Sequence, residues 1–470
     1  MRVPLPIVGP KRTARSIVTN PQRCVNLYPV PEGPGAKHAA SLYPTPGTTL
    51  AKSIATGAVR SNGVEFGDAM YWAAGAALYK VDSSLTSTSV GALVTSAGWV
   101  SIAAGRAYLM LVDGAKGYVW DGVTFAQITD PDFPANPTSV TYLDGYFIVA
   151  SQGSDQFTIS ANEDPTAWNA LDFASAAADP DDLLAVAATH QDLYALGART
   201  TEIYYDSGAA DFPFTRHANG VIELGLEAVA SVALAEGTLF FLARTDVGGK
   251  LVVMISGFTP RVISDDDIVW EIGGLTATDD AEGFVYRQVG QTFYVLTFPA
   301  ANRTFIYHVE AGVWHERTSP SLARWRARGH CYFGGAHYVG DYTAGKLYEL
   351  DTAVYTEDGS SVTRTRRTTV SHADRRRIQV NSVEVEFEAG VGLTSGQGSD
   401  PQAMLRYSRD DGKTWSRELW RPIGKRGEYG ARAIWNRLGV GRGFVFEISI
   451  SDPVPVAILG GYADVQVLDS

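Results

Sequence analysis

Apolar residues in this chain come in short alternating runs separated by small and acidic ones. From Thr141 to Asp172 it reads TYLDGYFIVASQGSDQFTISANEDPTAWNALD, with an apolar run ending in Phe147-Ile148-Val149, a turn through Gly153 and a second run from Gln156 to Ser160. Runs of about 5 β-branched and aromatic residues bounded by Gly, Asp and Ser predict strands joined as a hairpin. One hairpin is marginal by itself, but the pattern recurs, anchored at Tyr71, Tyr108, Phe147, Tyr194, Phe240, Tyr294 and Tyr338. Successive anchors lie 37, 39, 47, 46, 54 and 44 residues apart, near the roughly 40–50 residues of a four-stranded propeller blade. The expected fold is therefore all-β, a β-propeller of about seven blades with six possible. A single sandwich with regular turns is the alternative, since it also places a strand every 8–12 residues or so.

The flanks differ from the repeats. Residues 1–55 carry Pro4, Pro6, Pro10, Pro21, Pro29, Pro31, Pro34, Pro44 and Pro46. Each proline removes a backbone donor and disfavours helix before it, so an extended arm is predicted, laid over its own fold or over a neighbouring subunit. Residues 56–351 form the propeller. Residues 352–470 read as a small antiparallel β-sandwich: Ile378 to Glu388 alternates like a half-buried strand, and further strands are expected at Ala403–Tyr407, Gly443–Ile450 and near Ala463–Leu468. The glycines of Gly439-Val440-Gly441-Arg442-Gly443 read as a hairpin turn.

Composition narrows the function classes. Among 470 residues, 45% are apolar, 11% aromatic and 48 are glycine, which suits a turn-rich β protein and argues against disorder. No apolar window approaches the length of a membrane span, and prolines break the first residues, so no membrane insertion and no signal peptide are expected. Cys24 and Cys331 read as reduced thiols. Charge is uneven: residues 1–37 hold six basic and one acidic side chain, and residues 360–470 hold sixteen and thirteen. The remainder, 17 basic against 37 acidic, gives the repeats a net of −20. A surface that grips nucleic acid would show the reverse.

Candidate chemistry is sparse. No G-x-S-x-G, Walker or H-E-x-x-H pattern occurs, and the eight histidines are scattered, so no catalytic residue, metal or cofactor is expected. Asp179-Pro180-Asp181-Asp182 and Asp265-Asp266-Asp267 lack the spaced ligands of an EF-hand loop and read as solvated turns. Arg324-Trp325-Arg326-Ala327-Arg328 reads as a charge-guarded strand edge or a nucleic-acid contact with Trp325 stacking. The arginines of Thr363–Thr368 and Arg375–Arg377 read as a solvated edge or an intersubunit or DNA contact. Ser408-Arg409-Asp410-Asp411-Gly412-Lys413-Thr414-Trp415 resembles an Asp-box, as in sialidases and some phage proteins. In it Asp410 accepts turn amides, Gly412 permits positive φ and Trp415 covers the hairpin, with Ser408 and Thr414 completing the motif.

Two stretches carry a family resemblance. Arg23-Cys24-Val25-Asn26-Leu27-Tyr28-Pro29 is followed by Leu42-Tyr43-Pro44-Thr45-Pro46-Gly47, and the segment Ser160–Asn169, with Pro165 and Trp168, is followed by Phe173-Ala174-Ser175-Ala176. With the blade order, these resemble the packaged-DNA stabilisation proteins of short-tailed phages, also called tail hub or nozzle proteins. The resemblance implies a virion tail component, made in the host cytoplasm. It would form a ring, hexameric by the same analogy, beneath the portal and its adaptor. The ring would close the channel through which genomic DNA passes and hold a tail needle, fibre or tailspike. A propeller-fold glycan hydrolase or carbohydrate-binding protein is the alternative, resting on the fold and one Asp-box.

Overall fold

The structure, a computed structural model, describes residues 1–189 and 191–468. All seven sequence anchors fall on or directly beside the second strand of a separate antiparallel sheet. In the third sheet, Tyr146–Ser151 pairs with Gln156–Ala161, Ala150 facing Phe157. Each sheet packs an apolar face on the next. Leu109 and Leu111 meet Tyr71 and Leu78 between the first and second sheets, and Ile148 and Phe157 meet Leu193 and Tyr204 between the third and fourth. The circuit returns on itself, because Met70 and Trp72 of the first sheet pack against Phe333, Tyr338 and Leu347 of the seventh. The innermost strands of all seven sheets line one central channel of about 650 Å³.

The seventh sheet takes its fourth strand from the other end of the chain. Gly47–Ala55 pairs with Gly345–Asp351, Gly47 facing Asp351 and Ala55 facing Gly345. The segment grouped with the arm over residues 1–55 therefore divides, its last strand belonging to the propeller. This pairing fastens the ends of the ring by backbone hydrogen bonds and leaves residues 1–44 on the side where the C-terminal region begins.

Residues 364–467 build a sandwich with strands borrowed from the arm, while Thr356–Glu357 and Ser360–Ser361 extend the seventh propeller sheet, so the propeller runs past the expected boundary at residue 351. One sheet runs Leu27–Pro31, Ala40–Pro44, Ile458–Val467, Ile378–Phe387, Ala433–Gly441, with Arg2–Pro4 alongside Ile458–Val467. The other runs Pro21–Val25, Arg364–Arg367, Gly443–Ile450, Gln402–Ser408, Leu419–Pro422, and Pro21–Val25 also touches Val313–Glu316 of the sixth propeller sheet, Val25 facing Glu316. One sheet of eleven strands thus runs along a path of nine from the propeller channel to the far edge of the sandwich. Leu5, Ile7, Cys24, Leu27 and Leu42 of the arm share a core with Val383, Trp435, Phe446 and Ile448.

Several sequence expectations need correcting. The alternation from Ile378 slips at Asn381-Ser382, because Val380 and Val383 both point inward; a β-bulge there absorbs the extra residue. The glycines around Arg442 make no hairpin, since Ala433–Gly441 and Gly443–Ile450 lie in different sheets of the sandwich. Trp325 is neither a guarded edge nor a stacking platform: it is 1% exposed between the sixth and seventh sheets, under the Arg317 guanidinium at 3.5 Å. Arg364 and Arg366 are buried too, with backbone carbonyls as partners in place of solvent or nucleic acid. Asp265 caps the helix Asp266–Gly273, accepting from Ile268 N at 3.0 Å.

Candidate functional site

The arm motif Arg23–Pro29 sits where propeller and sandwich join. Arg23 grips Glu316 of the sixth sheet bidentately, Nε to Oε1 at 3.0 Å and Nη2 to Oε2 at 2.9 Å. Burial alone would raise the Glu316 carboxyl, but Arg23, Arg303 and Lys11 outweigh it and hold the group ionised below its ordinary range. Glu271 extends the network, taking Lys11 and Arg303. Cys24 is fully buried, its thiol pushed up to about 12 by burial, and donates to Leu27 O at 3.1 Å. Such a thiol stays protonated and unreactive.

Asn26 turns the chain between the two sandwich sheets. Its φ of 56° is a left-handed value that asparagine tolerates and β-branched residues do not. Its amide donates to Thr363 O at 2.8 Å and Thr318 Oγ1 at 3.1 Å and accepts from Thr318 N at 3.0 Å, tying the arm to the end of the propeller and the start of the sandwich at once. Leu27 is fully buried, Tyr28 meets Phe293 and His308 edge-on at 5.2 and 5.7 Å, and Pro29 O lies 3.2 Å from His308 Nδ1. Every residue of the motif is spent on this joint.

Two buried arginines complete it, and sequence reading missed both. Arg366 donates to Ile7 O and Pro10 O at 2.6 Å, to Arg23 O at 3.2 Å and to Gln22 Oε1. Burial pulls its pKa down to about 10, still well above neutral, so it remains a cation holding arm carbonyls. Arg317 donates to Pro46 O. The only sequence signal was arginines at alternate positions of one strand, which a solvated edge would show equally.

The Asp-box turn lies at the other end of the same sheet. Asp410 accepts from Ser408 Oγ at 2.6 Å, Thr414 N at 2.8 Å and Thr414 Oγ1 at 2.6 Å, while Gly412 N donates to Ser408 Oγ at 2.9 Å. Burial works to raise its pKa, yet these bonds hold it down at about 2. Gly412 has φ 91°. Trp415 Nε1 donates to Gly412 O at 3.1 Å, and its ring lies 4.8 Å from the Arg367 guanidinium and 5.1 Å from that of Arg406, both of which hold Glu447. All of Asp410's side-chain hydrogen bonds close within the turn. We expect Asp410→Ala to cost about 1–2 kcal/mol in thermal unfolding; loss of a glycan-cleaving activity with folding unchanged would overturn the structural reading.

Pro165 and Trp168 are not part of the joint. Trp168 lies on the outermost strand of the third sheet, Asp164–Ser175, its Nε1 donating to Pro165 O at 2.8 Å and its ring edge-on to Phe133 at 5.0 Å. The channel is also poor in chemistry: Glu65 is the single carboxylate among its lining residues, where glycoside hydrolysis commonly uses a facing pair. No group of three or more His, Cys, Asp or Glu side chains suited to a metal occurs among the described residues, and no helix there is long and apolar enough to cross a membrane.

A propeller locked to a sandwich through its own N-terminal arm, with the arm motif Arg23–Pro29 committed to the lock, defines a structural building block. The family comparison agrees: the chain matches the model of the bacteriophage P22 Gp10 β-propeller over residues 1–355 and that of the bacteriophage P22 Gp10 β-sandwich over residues 363–466. The chain belongs to this family of phage packaged-DNA stabilisation proteins. No curated protein matches it in sequence. Among solved structures it is similar to the computationally designed Ika8 protein, at 10% identity and TM-score 0.38, over 70% of this chain and 99% of that one. It is also similar to PorZ of Porphyromonas gingivalis, a component of the type-IX secretion system, at 13% identity and TM-score 0.40, over 79% of this chain and 46% of that one. The Neurospora crassa Pan2 WD40 domain aligns at 8% identity and TM-score 0.39, over 66% and 89% of the two chains.

Proposed function

We propose that the chain is a non-enzymatic ring component of a short phage tail, seated below the portal and its adaptor. There it closes the DNA exit channel, stabilises the packaged genome and anchors a needle, fibre or tailspike. The observation carrying this reading is the family match across both domains, which associates the chain with the virion. The joint supports it: a part under internal genome pressure must transmit load between domains, and the nine-strand path with the Arg23–Glu316 pair does so without a flexible linker.

The charge distribution bears on how DNA would be held. Six copies of a region with net −20 would carry −120. Acidic walls offer phosphates no cations with which to exchange counterions, and screening confines the effect to about 8–10 Å. Retention then rests on narrow geometry or a plug, and DNA slides where a basic wall would bind it. Virions made without the protein should fill and then leak DNA, and electron microscopy of virions carrying labelled protein should place the label in the tail below the portal. Label elsewhere, or intact genome retention without the protein, would refute the reading.

A further inference from the structure

At the far end of the nine-strand path, Leu419–Pro422 has no strand beyond it. Five strand spacings of about 4.8 Å put this edge roughly 24 Å along the sheet from Val313–Glu316, the last propeller strand in it. Residues 409–437 hold eight basic and four acidic side chains. Arg409, Lys413, Arg417, Arg426 and Arg437 have no carboxylate within 4 Å among the described residues. Arg421 is spent differently, turned back on Ile434 O at 2.7 Å. In the same segment Trp420, on the edge strand itself, is 52% exposed, and Tyr429, in the loop after it, 80%. An exposed tryptophan on an open sheet edge, in a segment rich in unpaired cations, is a surface built to be covered.

The same chain carries the complementary surface. On the outer strands and turns of the third to fifth propeller sheets, Leu171 is 79% exposed, Phe258 46% and Phe173 37%. Across the fourth and fifth sheets the His217 ring lies tilted on Tyr205 at 4.5 Å and edge-on to Phe258 at 4.8 Å. Asp172, Asp206 and Asp211 lie on this rim without a basic partner among the described residues.

We propose that the basic, aromatic edge around Trp420 docks on the acidic outer rim of the third to fifth propeller sheets of a second copy of this chain. The two surfaces differ, so the contact is head-to-tail and can propagate into a closed ring. The inference rests on the ring reading above and names the faces that meet. Duplex DNA is the competing occupant of a basic edge, but a chain of net −12 whose own propeller offers fixed unpaired carboxylates favours the protein partner.

The test uses the full-length protein with a photo-crosslinking benzophenone side chain in place of Trp420, at about 0.05 M salt, where charge pairing is strong. We expect cross-linked dimers whose partner peptides come from residues 164–262, and concentration-dependent sedimentation that weakens steeply at about 0.5 M salt. Arg417→Glu with Arg426→Glu should weaken association at least about tenfold at unchanged melting temperature, and Asp206→Arg with Asp211→Arg should restore it. A protein monomeric at every salt and concentration would overturn the proposal, as would partner peptides confined to residues 360–470 or cross-links to added duplex DNA in place of protein. Virions built from the Arg417→Glu, Arg426→Glu chain that assemble and hold DNA would remove this contact while leaving the tail-component reading standing.

Discussion

Replacing Arg366 by methionine should release the arm and cost more than any other single change away from the propeller core. The side chain is fully buried and serves four acceptors in three arm segments, Ile7 O, Pro10 O, Arg23 O and Gln22 Oε1. Methionine fills much of the volume but leaves these acceptors dry, and each stranded acceptor costs about 1–3 kcal/mol. Relaxation of the arm toward water will recover part, so a net loss of about 3–5 kcal/mol is expected, within the range for breaking a buried charged network. Hydrogen exchange should show protection lost first in residues 5–31 and in Arg364–Arg367, with the propeller sheets still protected. The exposed Arg375→Ala, nearby in sequence, should stay within about 0.5 kcal/mol. Equal protection of the arm in the Arg366 variant would show that the core contacts of Leu5, Ile7 and Leu27 hold it unaided.

Mild acid should weaken the same joint, and His315→Met should blunt the loss. His315 is fully buried with neither ring nitrogen hydrogen-bonded to any described residue; it faces Tyr28 and Phe293, with the charges of His308 and Arg317 close enough to act on it and Glu357 acting in turn on Arg317. Burial first, then the charges of His308 and Arg317, hold its pKa well below the ordinary value. Burial, with His337 beside it, brings His330 down to about 3, and burial also lowers His308 and His337. The unfolded chain takes up these protons near pH 6.5 while the native state refuses them. Their contribution is therefore complete above about pH 6.5 and is lost as pH falls below it toward the folded values. Glu282 and Glu357, raised by burial, act with the opposite sign and regain stability as pH falls through their own folded pKa values. Melting temperature should accordingly begin to fall as pH drops through about 6.5 and fall most steeply about a unit or more lower, where the unfolded histidines are protonated and the native ones are not. His315→Met removes one titrating group and two stranded nitrogens, so it should stabilise the protein at neutral pH by about 1–3 kcal/mol and flatten the acid limb. An unchanged acid limb in the variant would mean that the loss arises elsewhere.

What was legible in the sequence followed from local periodicity. The seven aromatic anchors marked seven second strands, because the middle of a blade is buried on both faces and must be apolar whatever surrounds it. The Asp-box was equally readable, since its hydrogen bonds close within seven residues, Ser408 to Thr414. Tertiary structure alone decided the rest. Nothing near Gly47–Ala55 tells that strand to pair with Gly345–Asp351, almost three hundred residues away, nor does any local pattern separate Arg366, buried against carbonyls of the arm, from Arg375 in water. An arginine on a strand carries the same side chain in both places; its role depends on which distant backbone reaches it, and that is set by how the arm crosses between propeller and sandwich.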